Sequence, residues 1–512
     1  MPFFILWRIV TAQLVQAARD ALRLFQDQQP IPENDHTRAR VLRALESLNP
    51  GAGEGSVAER RRRQHRILVD CDVRRLPHAQ VAAALGLSRR QFYRDRRDAL
   101  IAFAEALQTP EYAPALMQVD VKDVHLLYIQ TLRERGQYDS VWRESVRALA
   151  HMNGHPREVE VWALASEAAR YFGNARYARE AIDQMRRATT RSAFHDLRRA
   201  SQLRIAISEI ALDVMLGDLS AAKLRFEETA AACGDERTMY GRDVTLFAIL
   251  LSHATALSME RGEWHLAEQY LHRSAMIDER SEVCYAISSR RRLRGRLAFR
   301  RDGDIGRAVV ELSDALSIAE SDRALRPAAL ATVELGIALT HRGDAAGAEY
   351  LDHGLRIARE VCGHDDFAVL FSSAVPALLQ RGAPLTSMQA IEELRMRSPL
   401  FGLAERYVRL AEVELQLHGG DYRTAIASST ELADECFRAL MLPLAAHAQV
   451  LSAEAYAHSG RVMQAKKSLI SAEALITEFG EHRTRLRAEA LGTRLALPPA
   501  VTKTAQRRIK LP

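Results

Sequence analysis

Five arginines stand within nine residues near the amino-terminal end of the chain: Arg89, Arg90, Arg94, Arg96 and Arg97. A guanidinium group presents several hydrogen-bond donors in one plane, and it pairs well with carboxylates and phosphates. A cluster of this density needs either solvent or an anionic partner. The stretch therefore raises the question of which anion it meets, and which elements hold it.

The positive charge of the whole chain is concentrated around this cluster. Residues 60 to 107 contain twelve arginines and five acidic residues, whereas the complete 512-residue chain has a formal net charge of +6. A localised excess of this kind is typical of a surface that binds a polyanion. The alternative interpretation is a solvated helix surface, which is the usual role of a charged run.

Three short helices are predicted to position these arginines. Pro77 ends the first helix, and Gly86 bends the chain between the second and the third. Ser88 and Gln91 form a capping box, which predicts that the third helix begins at Arg89.

The third helix is expected to have one apolar and one cationic face. Its apolar residues lie at helical spacing and are Phe92, Ala99, Leu100, Phe103 and Leu107. Arg90, Arg94 and Arg97 are predicted to form a stripe on the opposite face. The apolar face would anchor the helix while the cationic face remains accessible.

This region resembles the helix-turn-helix of LuxR-type response regulators, DeoR-type repressors and the promoter-reading region of sigma factors. The residues that carry the resemblance are Val81, Ala82, Leu85, Gly86, Leu87, Ser88 and Phe92. It implies contacts with double-stranded DNA, in which arginine side chains of the third helix donate to guanine in the major groove. The implied DNA-contacting residues are Ser88, Arg89, Arg90, Gln91, Tyr93, Arg94 and Arg97. The implied phosphate-contacting residues are Arg61, Arg62, Arg63 and Arg66, with Arg60, Arg74 and Arg75 as further candidates.

Glycines recur at intervals of 37 to 45 residues through the rest of the chain. They are Gly136, Gly173, Gly217, Gly262, Gly303, Gly343, Gly382, Gly420 and Gly460. Five positions after each lies a small or β-branched residue: Val141, Ala178, Ala222, Ala267, Ala308, Ala348, Ser387, Ala425 and Ala465. Glycine permits a sharp exit from one helix, and a small residue lets the next helix approach closely. The pattern predicts stacked helix pairs.

The repeats resemble the tetratricopeptide repeat, best in "ELGIALTHRGDAAGAEYLDHGL" and "LSMERGEWHLAEQYL". The matching residues are Leu335, Gly336, Ala338, Gly343, Asp344 and Ala348 in the first segment, and Gly262, Trp264 and Ala267 in the second. Because the spacing exceeds the usual 34 residues of this family, the helices or loops must be longer. The resemblance implies a right-handed superhelix whose first helices line a concave, ligand-binding face.

A second arginine cluster lies inside the repeats, in "SSRRRLRGRLAFRRDGD". If Gly303 ends the first helix of its pair, as the family pattern implies, Arg290, Arg300 and Arg301 face the concave surface. They are candidates for binding a carboxylate-bearing peptide or a phosphorylated effector. The alternative is ion pairing with acidic residues of adjacent repeats, and we favour it.

Sequence motifs for catalysis are not found, and we expect neither an enzyme nor a cofactor. "GAGEGS", residues 51–56, lacks the Lys-Ser/Thr of a phosphate-binding loop and is interpreted as a linker. His151 with His155, and the run from His364 to Asp366, are expected to be loop residues rather than metal ligands. Five scattered cysteines without a CxxC pair indicate a reduced cytoplasmic protein. The apolar start of the chain is interrupted by Arg8, so we predict no membrane span.

The sequence therefore predicts an all-α protein with four parts: an N-terminal helical segment and linker (1–55), a helix-turn-helix domain (56–110), a tetratricopeptide-like α-solenoid (111–495) and a basic tail (496–512). The favoured function is a DNA-binding transcriptional regulator whose solenoid binds a peptide, protein or small effector, with self-association into a homodimer as a further expectation. The alternative is a protein-interaction adaptor whose basic head docks on an acidic protein without sequence-specific DNA binding.

Overall fold

In a computed structural model, the described residues are 44–46, 48–49, 56–74, 76, 78–107, 121–155, 157–191, 198–234, 239, 242–281, 284–321, 324–397 and 399–496. Every regular element within these ranges is a helix. The chain divides into two compact units, with the boundary after Thr131. The predicted basic tail and nearly all of the predicted N-terminal segment lie outside the described residues.

The first unit contains the three helices that the arginine-rich sequence predicts. They are α1 (Ser56–Leu68), which continues as a π-helical turn (Val69–Val73), α2 (His78–Ala84) and α3 (Arg89–Leu107). Their shared core contains Ile67, Cys71, Val81, Ala82 and Phe92. We call residues 56–107 the cationic head. On α3, Phe92, Ala99, Leu100 and Phe103 are buried, as their spacing predicts.

The second unit consists of alternating first and second helices, which we call the repeat array. The first helices are α4 (Val121–Glu134), which contains the unit boundary, α6 (Glu158–Tyr171), α8 (Arg198–Leu216), α10 (Arg242–Arg261), α12 (Cys284–Leu297), α14 (Leu325–Arg342), α16 (His364–Gln380), α18 (Gly402–His418), α20 (Leu442–His458) and α22 (His482–Arg494). The second helices are α5 (Tyr138–Leu149), α7 (Ala175–Arg191), α9 (Leu219–Cys233), α11 (Trp264–Ser281), α13 (Ile305–Ser321), α15 (Ala346–Val361), α17 (Pro384–Arg397), α19 (Tyr422–Arg438) and α21 (Val462–Phe479). A π-helical turn (Ala298–Asp302) extends α12.

All nine repeat glycines lie between the two helices of a pair and adopt the left-handed conformation, with φ from +66° to +81°. Side chains other than glycine adopt this conformation at a cost, which explains the residue type. The small residue five positions later is buried in eight of the nine pairs. In the pair at Gly343 the register shifts by one residue. There Gly347 is the buried position, and a Cβ on it would stand 2.5 Å from the Thr340 nitrogen.

The array winds so that three successive first helices, and the π-helical turn that extends the fourth, meet the first helix five pairs further along the chain. The contacting pairs are α6 with α16, α8 with α18, α10 with α20, and the turn after α12 with α22. We call this line of contacts the seam. Glycines allow the close approach: a Cβ on Gly136 would lie 2.7 Å from Val361 Cα, and one on Gly262 would lie 2.9 Å from Phe479 Cβ.

The seam closes much of the concave face that a single solenoid turn would leave open. Leu203 and Ile210 of α8 share one hydrophobic core with Tyr407 and Val413 of α18. Because facing first helices pack directly against each other here, the interior is filled by the chain itself.

Candidate functional site

The turn between α2 and α3 fixes where the cationic helix begins. Gly86 has a φ of +63°, and the Ser88 hydroxyl oxygen accepts a hydrogen bond from the Gln91 backbone nitrogen at 3.2 Å. α3 therefore starts at Arg89, as the capping box predicts. The Gln91 side chain does not complete the box, because its amide donates to Asp95 at 2.6 Å.

Four aspartates of the cationic head form ion pairs with its arginines. Arg96 pairs with Asp72 at 2.7 Å, and both side chains are buried. Arg63 pairs with Asp95 at 2.8 Å, and Arg60 pairs with Asp98 at 2.5 Å. Asp70 is buried and accepts from Arg74 at 3.0 Å and from Arg66 at 3.4 Å. The acids thereby lie against the helices while many arginines extend outward.

The predicted DNA-contacting residues occupy three different environments. Arg61, Arg62 and Arg94 are exposed, and Arg66 keeps 59% of its side chain in solvent despite its pair with Asp70. Gln91, Tyr93 and Arg97 are partly buried; Gln91 accepts a hydrogen bond from Arg94, and the Tyr93 ring packs edge-on against Phe92. Ser88 is the exposed cap, while Arg89 and Arg90 lie in the first turn of α3. Arg75 lies outside the described residues.

The second arginine cluster lies at the seam. Arg300 is buried and pairs with Glu260 at 2.8 Å and with Glu481 at 2.7 Å. Glu260 also accepts from the Tyr407 hydroxyl at 2.7 Å and from Arg296 at 3.2 Å. The geometry at Arg300 is thus the one expected from the ion-pairing alternative.

The other two predicted effector residues, Arg290 and Arg301, differ from each other in exposure. Arg290 is buried, with 8% of its surface exposed. Arg301 is partly exposed and pairs with Glu268 at 2.8 Å and with Asp302 at 2.5 Å. It lines a small cavity of about 120 Å³ together with His272, Arg294 and Arg307. Their role as effector contacts stays a prediction.

A larger cavity, of about 620 Å³, opens among five successive first helices of the array. We call it the bowl. Its lining comes from α14, α16, α18, α20 and α22: His341, Pro376, Leu379, Gln380, Glu414, Leu417, His418, Glu454, His458, Arg483, Leu486 and Arg487. Because four of these helices end there, the bowl lies at the carboxyl-terminal ends of the first helices. One complete turn of the superhelix forms its wall.

Charged side chains in the bowl are unequally paired. Arg487 holds Glu414 at 2.7 Å and Glu454 at 2.6 Å. Burial would raise the pKa of Glu414, but Arg487 and His447 outweigh it and hold the pKa below the usual range. Arg483 donates to His341 Nε2 at 3.2 Å, and the described residues place no carboxylate within ion-pair distance of it.

Desolvation is the main influence on the pKa values of His341 and Arg483 in the bowl. Burial lowers the pKa of His341 to about 4, and the Arg483 charge adds to this effect. His341 is therefore neutral at pH 7 and can accept the hydrogen bond from Arg483. Burial also lowers the pKa of Arg483, Glu414 opposes this shift, and Arg487 adds to it.

Sequence reasoning missed the bowl, although the repeats contain a signal for it. His341, Gln380, His418 and His458 each stand two residues before a repeat glycine. Glu414 and Glu454 are likewise equivalent to each other, since each stands six residues before a repeat glycine. Polar residues recurring at equivalent positions of successive first helices indicate a shared concave surface.

The two histidine-containing motifs have different settings: His151 and His155 lie between α5 and α6, outside the helices, as expected for loop residues. The run from His364 to Asp366 forms the first turn of α16, so the expectation of a loop is wrong there. His155 accepts a hydrogen bond from the Arg157 backbone nitrogen at 3.2 Å. In the described ranges, no three His, Cys, Asp or Glu side chains converge on a position for a metal ion. Nor does any helix there combine the length and apolar character of a membrane span.

No protein-family model and no curated protein matches the chain. Among solved structures, it is similar to a Rap protein complexed with competence and sporulation factor, with 11% identity, a TM-score of 0.49, and coverage of 73% of this chain and 98% of the other. It is also similar to a STAND signal-transduction ATPase with a tetratricopeptide-repeat sensor from Pyrococcus horikoshii, with 13% identity, a TM-score of 0.37, and coverage of 93% and 74%. A third similar structure is the Cut9–Hcn1 hetero-tetramer of the APC/C, with 12% identity, a TM-score of 0.39, and coverage of 93% and 89%.

Proposed function

We propose that this chain is a protein-interaction adaptor, in which the repeat array receives a ligand or partner and the cationic head docks on an acidic protein surface. The observation that carries the proposal is the separation of buried acidic side chains from exposed basic side chains in the head. Asp70, Asp72 and Asp95 are buried against the helices, whereas Arg61, Arg62 and Arg94 extend into solvent. Exposed cations on a rigid support favour association with a negatively charged surface.

An acidic protein suits the head better than a base-reading role does. Gln91 and Arg94, which the resemblance assigns to base contacts, are hydrogen-bonded to each other, and Gln91 is also bonded to Asp95. Reading bases would require these side chains to exchange internal partners for DNA. A protein partner needs only complementary charge opposite the exposed guanidinium groups.

The test compares two charge reversals of equal size. The intact protein is purified with its bound partner, and the affinity of the isolated partner is then measured for each variant. Arg61→Glu with Arg62→Glu is expected to weaken binding about tenfold or more, because like charges now face each other. The matched control, Arg423→Glu with Arg438→Glu, changes two exposed arginines of the array and should bind as the wild type does. Equal affinity of the two variants would contradict the proposed docking surface.

A DNA-binding regulator is the second candidate, and the left-handed Gly86 with the Ser88 cap favours it. This turn presents the amino-terminal end of α3 beyond the core, as a major-groove helix requires. Arg61 and Arg62 would then contact phosphates, and the affinity would fall steeply with salt.

Selection of duplexes from random DNA separates the two candidates. A regulator enriches one motif, and Arg90→Glu with Arg94→Glu abolishes the enrichment, whereas Arg61→Glu weakens binding to all sequences and reduces the salt slope by about one. An adaptor enriches no motif, and its weak duplex binding disappears at moderate salt.

A further inference from the structure

We infer that the bowl binds a small zwitterion of short-peptide chemistry, whose carboxylate pairs with Arg483 and whose ammonium group faces Glu454 and the helix ends. The inference deepens the proposed receptor role of the array, on which it rests. It assigns a ligand class and an anchoring residue to a cavity that the seam leaves open.

Arg483 differs from the other cations that line this cavity. Arg487 holds two carboxylates, whereas Arg483 has a single described hydrogen-bond partner, the neutral ring of His341. A partly buried guanidinium with no carboxylate at ion-pair distance has lost part of its hydration without a direct ion pair to replace it. A ligand carboxylate would supply that ion pair and two parallel hydrogen bonds. Burial lowers the pKa of Arg483, and the charges of Glu414, Glu481 and Glu454 do not fully offset this shift.

The negative charges of the bowl disfavour a multiply charged anion such as phosphate. Glu414 and Glu454 lie on the same wall, and α14, α16, α18 and α20 end at it. Helix carboxyl-terminal ends bear partial negative charge and favour a cation. A ligand that carries one carboxylate and one ammonium group meets both requirements.

The apolar part of the lining and the volume of the bowl limit the side chains and the size of the ligand. Pro376, Leu379, Leu417 and Leu486 supply apolar surface among the polar groups. A cavity of about 620 Å³ is in the range of sites for small organic ligands. A peptide of about three residues with an apolar side chain fits this combination of surface and volume.

α22 links the bowl to the seam. Its N-cap residue Glu481 pairs with Arg300, and a Cβ on Gly303 would stand 2.5 Å from His482 Cγ. Arg483 and Arg487 of the same helix face the bowl. A ligand that binds Arg483 therefore also restrains the helix that closes the last turn, and should raise the melting temperature of the array.

Native mass spectrometry with an equimolar library of tripeptides tests the inference on the full-length chain. We expect wild-type protein to retain tripeptides that contain apolar residues, and to retain neither the carboxyl-amidated nor the amino-acetylated library. Arg483→Gln should lower the retained fraction about tenfold, and Arg483→Lys should lower it less, since lysine keeps the charge but not the planar fork. Arg494→Gln, an exposed position of α22, is the matched control and should behave as the wild type does.

Retention of no tripeptide, equal retention by Arg483→Gln, or equal retention of the amidated library would each overturn the inference. Arg483→Gln is expected to melt no lower than the wild type, so a loss of binding will not reflect unfolding. Retention that is unchanged by Arg61→Glu with Arg62→Glu shows that the bowl acts apart from the head. If the head has no acidic partner but the bowl retains peptides, only the adaptor proposal fails. If the head has an acidic partner but the bowl retains no peptide, only the inference about the bowl fails.

Discussion

Arg300 at the seam is buried and Arg483 at the bowl is partly buried, but of the two only Arg300 forms ion pairs with carboxylates. Two carboxylates, those of Glu260 and Glu481, hold Arg300, and they outweigh burial so that its pKa stays well above the ordinary value. Arg483 donates a hydrogen bond to His341, and burial lowers its pKa although the more distant Glu414, Glu481 and Glu454 oppose the shift. The comparison separates a charge that holds the array together from a charge that is available to a ligand.

The same comparison explains why an arginine-rich sequence does not by itself locate a binding site. Arg300 belongs to the densest arginine run of the array, yet its hydrogen-bonding groups are directed to acids from distant repeats. Arg483 stands in the less conspicuous run "EHRTRLR". What distinguishes them is the position of acidic side chains up to 181 residues away in the sequence.

The largest expected effect comes from removing the central acid of the seam. Glu260→Ala leaves Arg300 and Arg296 facing each other without their shared carboxylate and orphans the Tyr407 hydroxyl. We expect the free energy of unfolding to fall by about 3–5 kcal/mol, as for a broken buried ion pair. Denaturant unfolding measures this loss. Glu260→Leu combined with Arg300→Met should recover part of it, and a double variant as unstable as Glu260→Ala would show that the pair is not the cause.

A smaller effect is expected from closing the space that the seam glycines leave. Gly136→Ala places a Cβ 2.7 Å from the Val361 backbone, whereas Gly343→Ala places one where nothing lies within 4 Å. Both glycines have positive φ, so both substitutions cost about 1–2 kcal/mol for the backbone conformation. Gly136→Ala should cost about 1–3 kcal/mol more, because Val361 must move. Equal melting temperatures of the two variants would argue against a packed seam.

Asp365 is a second partly buried charged residue, and its carboxyl group accepts no hydrogen bond from the described residues. It tests whether every such group is a site for a ligand. Both of its carboxyl oxygens are buried, and no described group donates a hydrogen bond to them. Burial and the neighbouring Asp366 raise its pKa to about 7. Since the folded-state pKa exceeds the unfolded value, the favourable contribution is present below about pH 4 and is lost as the pH rises through 7.

Asp365→Asn should therefore stabilise the protein by about 1–3 kcal/mol at pH 8, and the gain should vanish toward pH 4. Unfolding curves of the two proteins across this pH range provide the measurement. A gain that is independent of pH would mean that Asp365 titrates as an exposed carboxyl does. Tripeptide retention should be unaffected, because Asp365 does not line the bowl.

The local architecture could be predicted from the sequence because its determinants are local. The nine repeat glycines, the turn at Gly86 and the start of α3 at Arg89 all follow from backbone conformation within a few residues. The one shift of register, from Ala348 to Gly347, occurs where two small residues are adjacent in the sequence. Gly347 occupies the buried position there, where a Cβ would stand 2.5 Å from the Thr340 nitrogen.

The seam and the bowl could not be predicted because they depend on how many helix pairs complete a turn. That number follows from small rotations between pairs, which accumulate along the array and leave no motif. Glu260 and Tyr407, or His341 and Arg483, stand four pairs apart along the chain and meet only when the array closes a turn. Polar residues at equivalent repeat positions were the available signal in the sequence. They indicate that a shared polar surface exists, but they do not indicate which side chains contact each other on it.

Matched substitutions at the two arginines test the central comparison most directly. Arg300→Met and Arg483→Met remove the same charge and leave side chains of the same size. Denaturant unfolding should show that Arg300→Met loses about 3–5 kcal/mol, since Glu481 loses its ion pair with Arg300 and Glu260 keeps only Arg296 and the Tyr407 hydroxyl, while Arg483→Met is as stable as the wild type or more stable. A similar loss in both variants would contradict the distinction between a structural charge at the seam and a ligand-binding charge in the bowl.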